Sequence, residues 1–362
     1  MSSFDACFFE SKPPVELVKA ALRACFTNGW AVLLTAAVML LPATALNLAF
    51  AYLIGRTGAL EALTSLQGGQ FDPTKIDMRE FLGSILLVAA GGMAVGAVGL
   101  LSSFAAAAAV GRMLAERALG REYGPAQAWD FVLGKVFRLI GGGIVQGIVL
   151  FGGYIIASIP AGVVALIVTA ATGGMTPGAK PSPLVQVASA VIVLPLIAAI
   201  ATYVVSMPSI VAVEDLGGIS AVFRSFRLVA GRFRHAFAAI VLGGLIAMVP
   251  AGAVQMVMQF GFLSRLTDAL GGGPGTVATY APGTLLGLIT SPILFAVQAF
   301  IYFDLRSRQT EEDFTPYELT LEVGGELPEG VQEPLAAAVP SAPMPASPGA
   351  ADSPTPSDMS RG

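Results

Sequence analysis

Six stretches of the chain, 30–53, 81–110, 139–168, 184–205, 237–260 and 285–303, contain no Asp, Glu, Lys, Arg or His. A backbone that crosses the roughly 30 Å hydrocarbon core of a bilayer must satisfy its own hydrogen bonds. An uncharged run of about 20 residues is therefore read as a transmembrane helix. Only 12% of the residues are charged, against roughly 25% in a soluble domain, and they gather in the joints between these runs. The expected fold class is an all-α polytopic membrane protein of about six transmembrane helices. It divides into a lead, 1–13, a six-span membrane domain, 14–320, and a disordered tail, 321–362. From Gly324 onward the tail is Pro, Ala, Ser and Glu without an aromatic residue, too little apolar surface to fold.

Six spans place both termini on one side, and the basic residues say which. The termini and the 111–138 and 207–235 segments hold 15 of the 20 Lys and Arg. Arg56, Lys75, Arg79, Lys180 and Arg265 are left for the other loops. Positive-inside bias then predicts a multi-pass inner-membrane protein with cytoplasmic termini. The first residues, MSSFDACFFESKPP, lack the basic start and apolar core of a cleavable leader, so insertion is expected to start with the first span. Cys7 and Cys25 both fall on the cytoplasmic side, where a disulfide is not expected.

The joints have their own pattern. Residues 14–27 read as a short amphipathic helix with Val18, Ala21, Leu22 and Cys25 on one face. Gly124-Pro125 opens another, with Trp129, Val132, Leu133 and Val136 as its stripe. A third follows the acidic turn Glu214-Asp215-Leu216-Gly217-Gly218, its stripe being Ile219, Val222, Phe223, Phe226, Val229 and Phe233. Each precedes an odd-numbered span, which gives an architectural repeat of interfacial helix, span, span. The third helix carries Arg224, Arg227 and Arg234 beside its rings, the composition of a helix lying in the membrane interface. Tyr302 and Phe303, before Asp304 and Arg306, are expected to form an aromatic belt at the same face.

Little in the spans suggests chemistry. Asn47, Gln146, Gln255 and Gln298 are the polar side chains at depth, and fit either a polar lining or interhelical hydrogen bonds. Gly92-xxx-Gly96 and Gly143-xxx-Gly147 would permit close helix contact. His235, the single histidine, is expected to cap the interfacial helix beside Arg234. No zinc, redox or nucleotide motif is present, so no metal or cofactor is expected. Two polar clusters remain: Glu214, Asp215, Arg224 and Arg227, and Asp304, Arg306, Arg308 and Asp313. Arginine forks suit a lipid phosphate, so Arg224, Arg227, Arg306 and Arg308 are the lipid- or anion-binding candidates. Topology anchoring and helix capping are the alternative.

These clusters also carry a resemblance. PSIVAVEDLGGISAVFRSFRLVAGRFRHAF, followed by IYFDLRSRQTEEDFTPYEL, resembles the membrane domain of bacterial glycerophosphoryl diester phosphodiesterases and the stand-alone integral membrane proteins related to it. The matching positions are Pro208, Glu214, Asp215, Arg224, Ser225, Tyr302, Asp304, Leu305, Arg306, Arg308 and Asp313, within a resemblance covering residues 14–320. It implies a multi-span helical domain. It does not imply hydrolysis, which in that family belongs to a separate soluble barrel with two histidines and metal-binding carboxylates. The expected function is therefore non-enzymatic: a membrane protein engaging anionic lipid, a membrane-protein partner or a second copy at its cytoplasmic face, with no nucleic acid. The alternative is a transporter or permease for a lipid-like or uncharged solute.

Overall fold

The computed structural model describes residues 11–27, 29–57, 78–171, 183–260, 269–309 and 315–324. The described chain is all α-helical. Its helices are α1 (Pro14–Thr27), α2 (Gly29–Thr57), α3 (Met78–Ala118), α4 (Pro125–Gly134), α5 (Val136–Ala171), α6 (Pro183–Val204), α7 (Met207–Val213), α8 (Gly218–Ala230), α9 (Phe233–Phe260), α10 (Gly272–Ser307) and α11 (Pro316–Val323). Six of the helical segments are long and apolar enough to cross a membrane, the architecture of a multi-pass membrane protein.

The spans pack as antiparallel pairs, α2 with α3, α5 with α6, and α9 with α10, and α10 also lies along α2. The first residues of α5 and α9 meet the last residues of α10 and the turn after α7. This shared level is the charged end of the molecule; the opposite level is the far end. At the charged end the short helices dock one unit back. The helix α8 packs mainly on α5, α7 and α6, and α4 mainly on α3 and α2. The helix α1, of the first unit, packs mainly on α10 and α9 of the last. The repeat of interfacial helix, span, span is thus visible as a cyclic arrangement of contacts.

The core sits at the charged end. The centre is the second half of α3, where Ala106 to Val110, Met113 and Leu114 are buried on all sides. Alanine is the best helix former and adds no bulk. This run therefore holds a helix while letting α5, α7 and α10 approach closely. The uncharged run of α3 ends at Val110, longer than a bilayer needs, so a tilted span or one that emerges as helix is expected. The helix continues to Ala118, 41 residues in all, or about 60 Å at 1.5 Å per residue. Hydropathy stops at Arg112; the helical hydrogen bonds do not.

Other boundaries differ for related reasons. The Gly-rich Gly271–Gly275 segment is mostly helix: α10 starts at Gly272, ahead of the uncharged run from Leu285, and contains Pro282 and Pro292. At its other end Asp304, Leu305 and Arg306 remain helical and buried. After α6 the chain restarts as α7 at Met207, with Pro208 in its first turn and every residue buried. The third amphipathic helix ends at Ala230, so Phe233 belongs to α9. The helix α11 reaches Val323, past the expected start of the tail at 321. Thr315 caps it by accepting a hydrogen bond from the Glu318 amide at 3.2 Å. The lead also differs at its end: Lys12 is tied down on both sides of its residue. Residues 1–10, with Cys7, and the tail from 325 lie outside the described residues.

Candidate functional site

The two polar clusters meet at the charged end, because α7 and α8 pack against the last turns of α10. Glu214, at the C-cap of α7, is the pivot. One carboxylate oxygen accepts a hydrogen bond from the Tyr302 hydroxyl at 3.0 Å, and the other accepts from Arg224 Nε at 3.1 Å. Arg306, only 4% exposed, donates to the Tyr302 hydroxyl at 2.9 Å and to the Glu322 carboxylate of α11. It also stands 3.8 Å from Glu214. Burial pushes the Glu214 carboxyl above its ordinary range, against the pull of Arg306 and Arg224.

Asp304 organises a second group. It accepts from Arg308 Nε at 2.8 Å and from the Lys12 amide at 2.7 Å. Arg308 in turn donates to the Lys12 carbonyl at 2.7 Å. His235 Nε2 lies 2.9 Å from Asp304. The histidine therefore faces α10 from the first turn of α9 and does not cap α8, as its place beside Arg234 had suggested.

Asp215 goes the other way from its neighbour Glu214. It adopts the left-handed conformation, φ 55°, which Asp tolerates better than most residues. This turns it out toward Lys135 Nζ at 2.7 Å and Arg138. Its slight burial would raise the carboxyl, but hydrogen bonds from Lys135 and Arg138 outweigh that and hold it below the ordinary Asp range.

A third group was missed in the sequence. Arg112 and Arg121 share Glu116, at 2.9 and 3.0 Å, and reach the carbonyls that end α11. Arg112 donates to Val323 O and Arg121 to Gly324 O at 2.6 Å. The signal for α11 was present in Thr315-Pro316-Tyr317-Glu318, a cap residue followed three positions later by Glu.

Three of the four arginine candidates, Arg224, Arg306 and Arg308, therefore hold carboxylates of the chain itself. Arg227 is exposed, with no partner among the described residues. Of the motif residues, Pro208, Tyr302 and Asp304 are buried; Asp313 lies outside the described residues. Tyr302 and Phe303 are fully buried, which corrects their expected place in an aromatic belt. The exposed aromatic residues at this end among the described residues are Phe26, Trp30, Trp129, Phe137, Phe223 and Phe226. The stripe on α8 splits accordingly. Ile219 and Phe223 face outward, while Ala221, Ser225, Leu228 and Val229 are the buried side. Phe226 stacks on Tyr203, which also stacks on Phe233.

Among the polar residues of the spans, Gln146 donates to the Val204 carbonyl at 3.4 Å and Asn47 is exposed. Gln255 Nε2 and Gln298 Oε1 are buried without a hydrogen bond. No group of three His, Cys, Asp or Glu side chains among the described residues is arranged to hold a metal ion. A cavity of about 270 Å³ opens between α8, α10 and α11, lined by Arg224, Arg306, Glu318, Leu321 and Glu322. Compared with family models, with curated proteins and with solved structures, the chain gives no match.

Proposed function

We propose that the protein is a non-enzymatic inner-membrane module whose charged end faces the cytoplasm and engages anionic lipid. One observation carries the reading: α1, α8 and the first turn of α5 present aromatic and basic side chains outward together. Phe26 with Arg23, Phe137 with Arg138, and Phe223 with Arg227 are exposed at the same end. Rings at the acyl boundary beside guanidinium groups at the phosphates are the composition of an interfacial anchor. Each basic residue near an anionic surface contributes about 1 kcal/mol. Arg227 and Arg234 are the phosphate contacts in this reading; Arg224, Arg306 and Arg308 hold the frame. The resemblance to the membrane domain of glycerophosphoryl diester phosphodiesterases is part of the same proposal, as kinship of a lipid-facing module and not of a catalyst.

The test is native mass spectrometry of the protein released from nanodiscs of phosphatidylglycerol and phosphatidylcholine. Arg227→Gln with Arg234→Gln is expected to lower phosphatidylglycerol retention severalfold, and the loss should shrink at high salt. Retention equal to that of the unaltered chain would sink the reading. The permease alternative draws on Gln255 and Gln298, whose buried amide atoms lack partners. It predicts that Gln298→Leu abolishes solute flux in proteoliposomes while leaving lipid retention unchanged.

A further inference from the structure

We infer that the cavity between α8, α10 and α11 is a phosphate-headgroup site, and that α11 is its built-in competitor. This deepens the anionic-lipid reading and rests on it. With α11 docked, Arg224 and Arg306 share the cavity and its wall with three carboxylates, Glu214, Glu318 and Glu322. Two guanidinium groups against three carboxylates leave the site net negative, so it turns anions away. Both Glu318 and Glu322 belong to α11. When α11 lifts they leave together, and the two arginines face Glu214 alone. The site becomes net positive without any other residue moving.

The carboxylate of Glu322 on Arg306 thus occupies the position a phosphate oxygen takes. The carbonyls of Val323 and Gly324 do the same for Arg112 and Arg121. What holds α11 down besides these contacts is modest. Leu319, Thr320 and Val323 form its buried side, and the helix is 8 residues long, too short to persist by itself. A ligand that satisfies the arginines can therefore exchange with it.

The experiment compares the full chain with Glu322→Gln in nanodiscs, following amide hydrogen exchange of residues 316–324 and lipid retention by native mass spectrometry. Nanodiscs are phosphatidylcholine alone, phosphatidylcholine with inorganic phosphate, or phosphatidylcholine with phosphatidylglycerol at one part in four. Phosphatidylglycerol is expected to speed exchange across α11. Glu322→Gln is expected to raise its retention about fivefold or more, the lower end of usual site-to-site coupling. Faster exchange with inorganic phosphate in phosphatidylcholine discs assigns the site to free phosphate; no change there assigns it to the lipid headgroup. Equal exchange in all three discs, with unchanged retention by Glu322→Gln, overturns the inference. If Arg227→Gln with Arg234→Gln still lowers retention in that case, the broader lipid reading stands and this site alone falls. Equal retention by every variant fells both.

Discussion

The two ends of α10 behave as different materials. From Phe295 to Arg306 nearly every side chain is buried, and Tyr302, Phe303 and Leu305 lie among the most enclosed large residues of the protein. From Gly272 to Ile289 the same helix is mostly half-buried, with Leu285 and Ile289 about half exposed. The contrast recurs in α3, where Leu86 and Met93 are exposed and Phe104 to Leu114 are mostly enclosed. It recurs again in α5, whose Ile156, Ile159 and Leu166 face outward. Apolar surface in contact with lipid tails gains nothing by being covered with protein. The far end can therefore stay loosely covered, while the charged end needs packing and paired charges.

The contrast can be broken first at Arg306. Arg306→Leu leaves Glu214 and Glu322 without their shared cation. Removing one member of a buried ion pair costs about 3–5 kcal/mol, and the loss should appear as a large drop in resistance to unfolding in mixed micelles. A stability within 1 kcal/mol of the unaltered chain would mean that the network is ornamental.

Glycines sharpen the comparison with a smaller effect. A Cβ on Gly218 would stand 2.9 Å from the Gly141 carbonyl oxygen and 3.1 Å from the Gly142 nitrogen, backbone atoms of α5 that cannot step aside cheaply. Gly218→Ala should cost about 1–3 kcal/mol, as overpacking does. A Cβ on Gly92 or Gly96 would meet nothing within 4 Å. Alanine there should be neutral or gain up to about 0.5–1 kcal/mol from helix propensity. Equal effects at the two ends would erase the distinction. The same geometry divides the two small-residue motifs: Gly143 and Gly147 lie against Leu101 and Leu100 of α3, whereas Gly92 and Gly96 touch no neighbouring helix.

The smallest effect is expected at Asp215. Its folded carboxyl titrates below the ordinary range because Lys135 and Arg138 bind it. Its contribution is complete above the unfolded value of about 3.9 and disappears as pH falls through the folded value. The side chains are 37–48% exposed, so solvent screens the pairs and the contribution is about 0.2–1 kcal/mol. The stability gap between the unaltered chain and Asp215→Asn should close between pH 5 and the acid limit. A gap that widens there would reverse the sign of the argument.

How much could be read from the sequence follows the same divide. The spans were legible because lipid demands long uncharged runs, and α1 kept its expected face, with Val18, Ala21 and Cys25 buried and Lys19 exposed. At the charged end the hydropathy pattern misled. It closed α3 at Arg112 and α10 at Phe303, although Glu116, Asp304 and Arg306 continue in helix because each finds an opposite charge. The partners are remote in sequence: Glu214 and Tyr302 are separated by 88 positions, and Lys12 and Arg308 by 296. No local pattern reports such a pairing. The helix α7 was hidden for another reason, since its apolar residues merge with those of α6.

The cyclic docking of the short helices has a consequence in time. The first of them, α1, is made before α9 and α10, yet these two helices supply most of its packing. About 280 residues separate the end of α1 from the end of α10, and at about 5–20 residues per second their synthesis takes on the order of 15–60 s. Throughout that interval α1 has only its smaller contact with α2. The ring then closes last at α1, so a chain interrupted before α10 leaves that helix without its main seat.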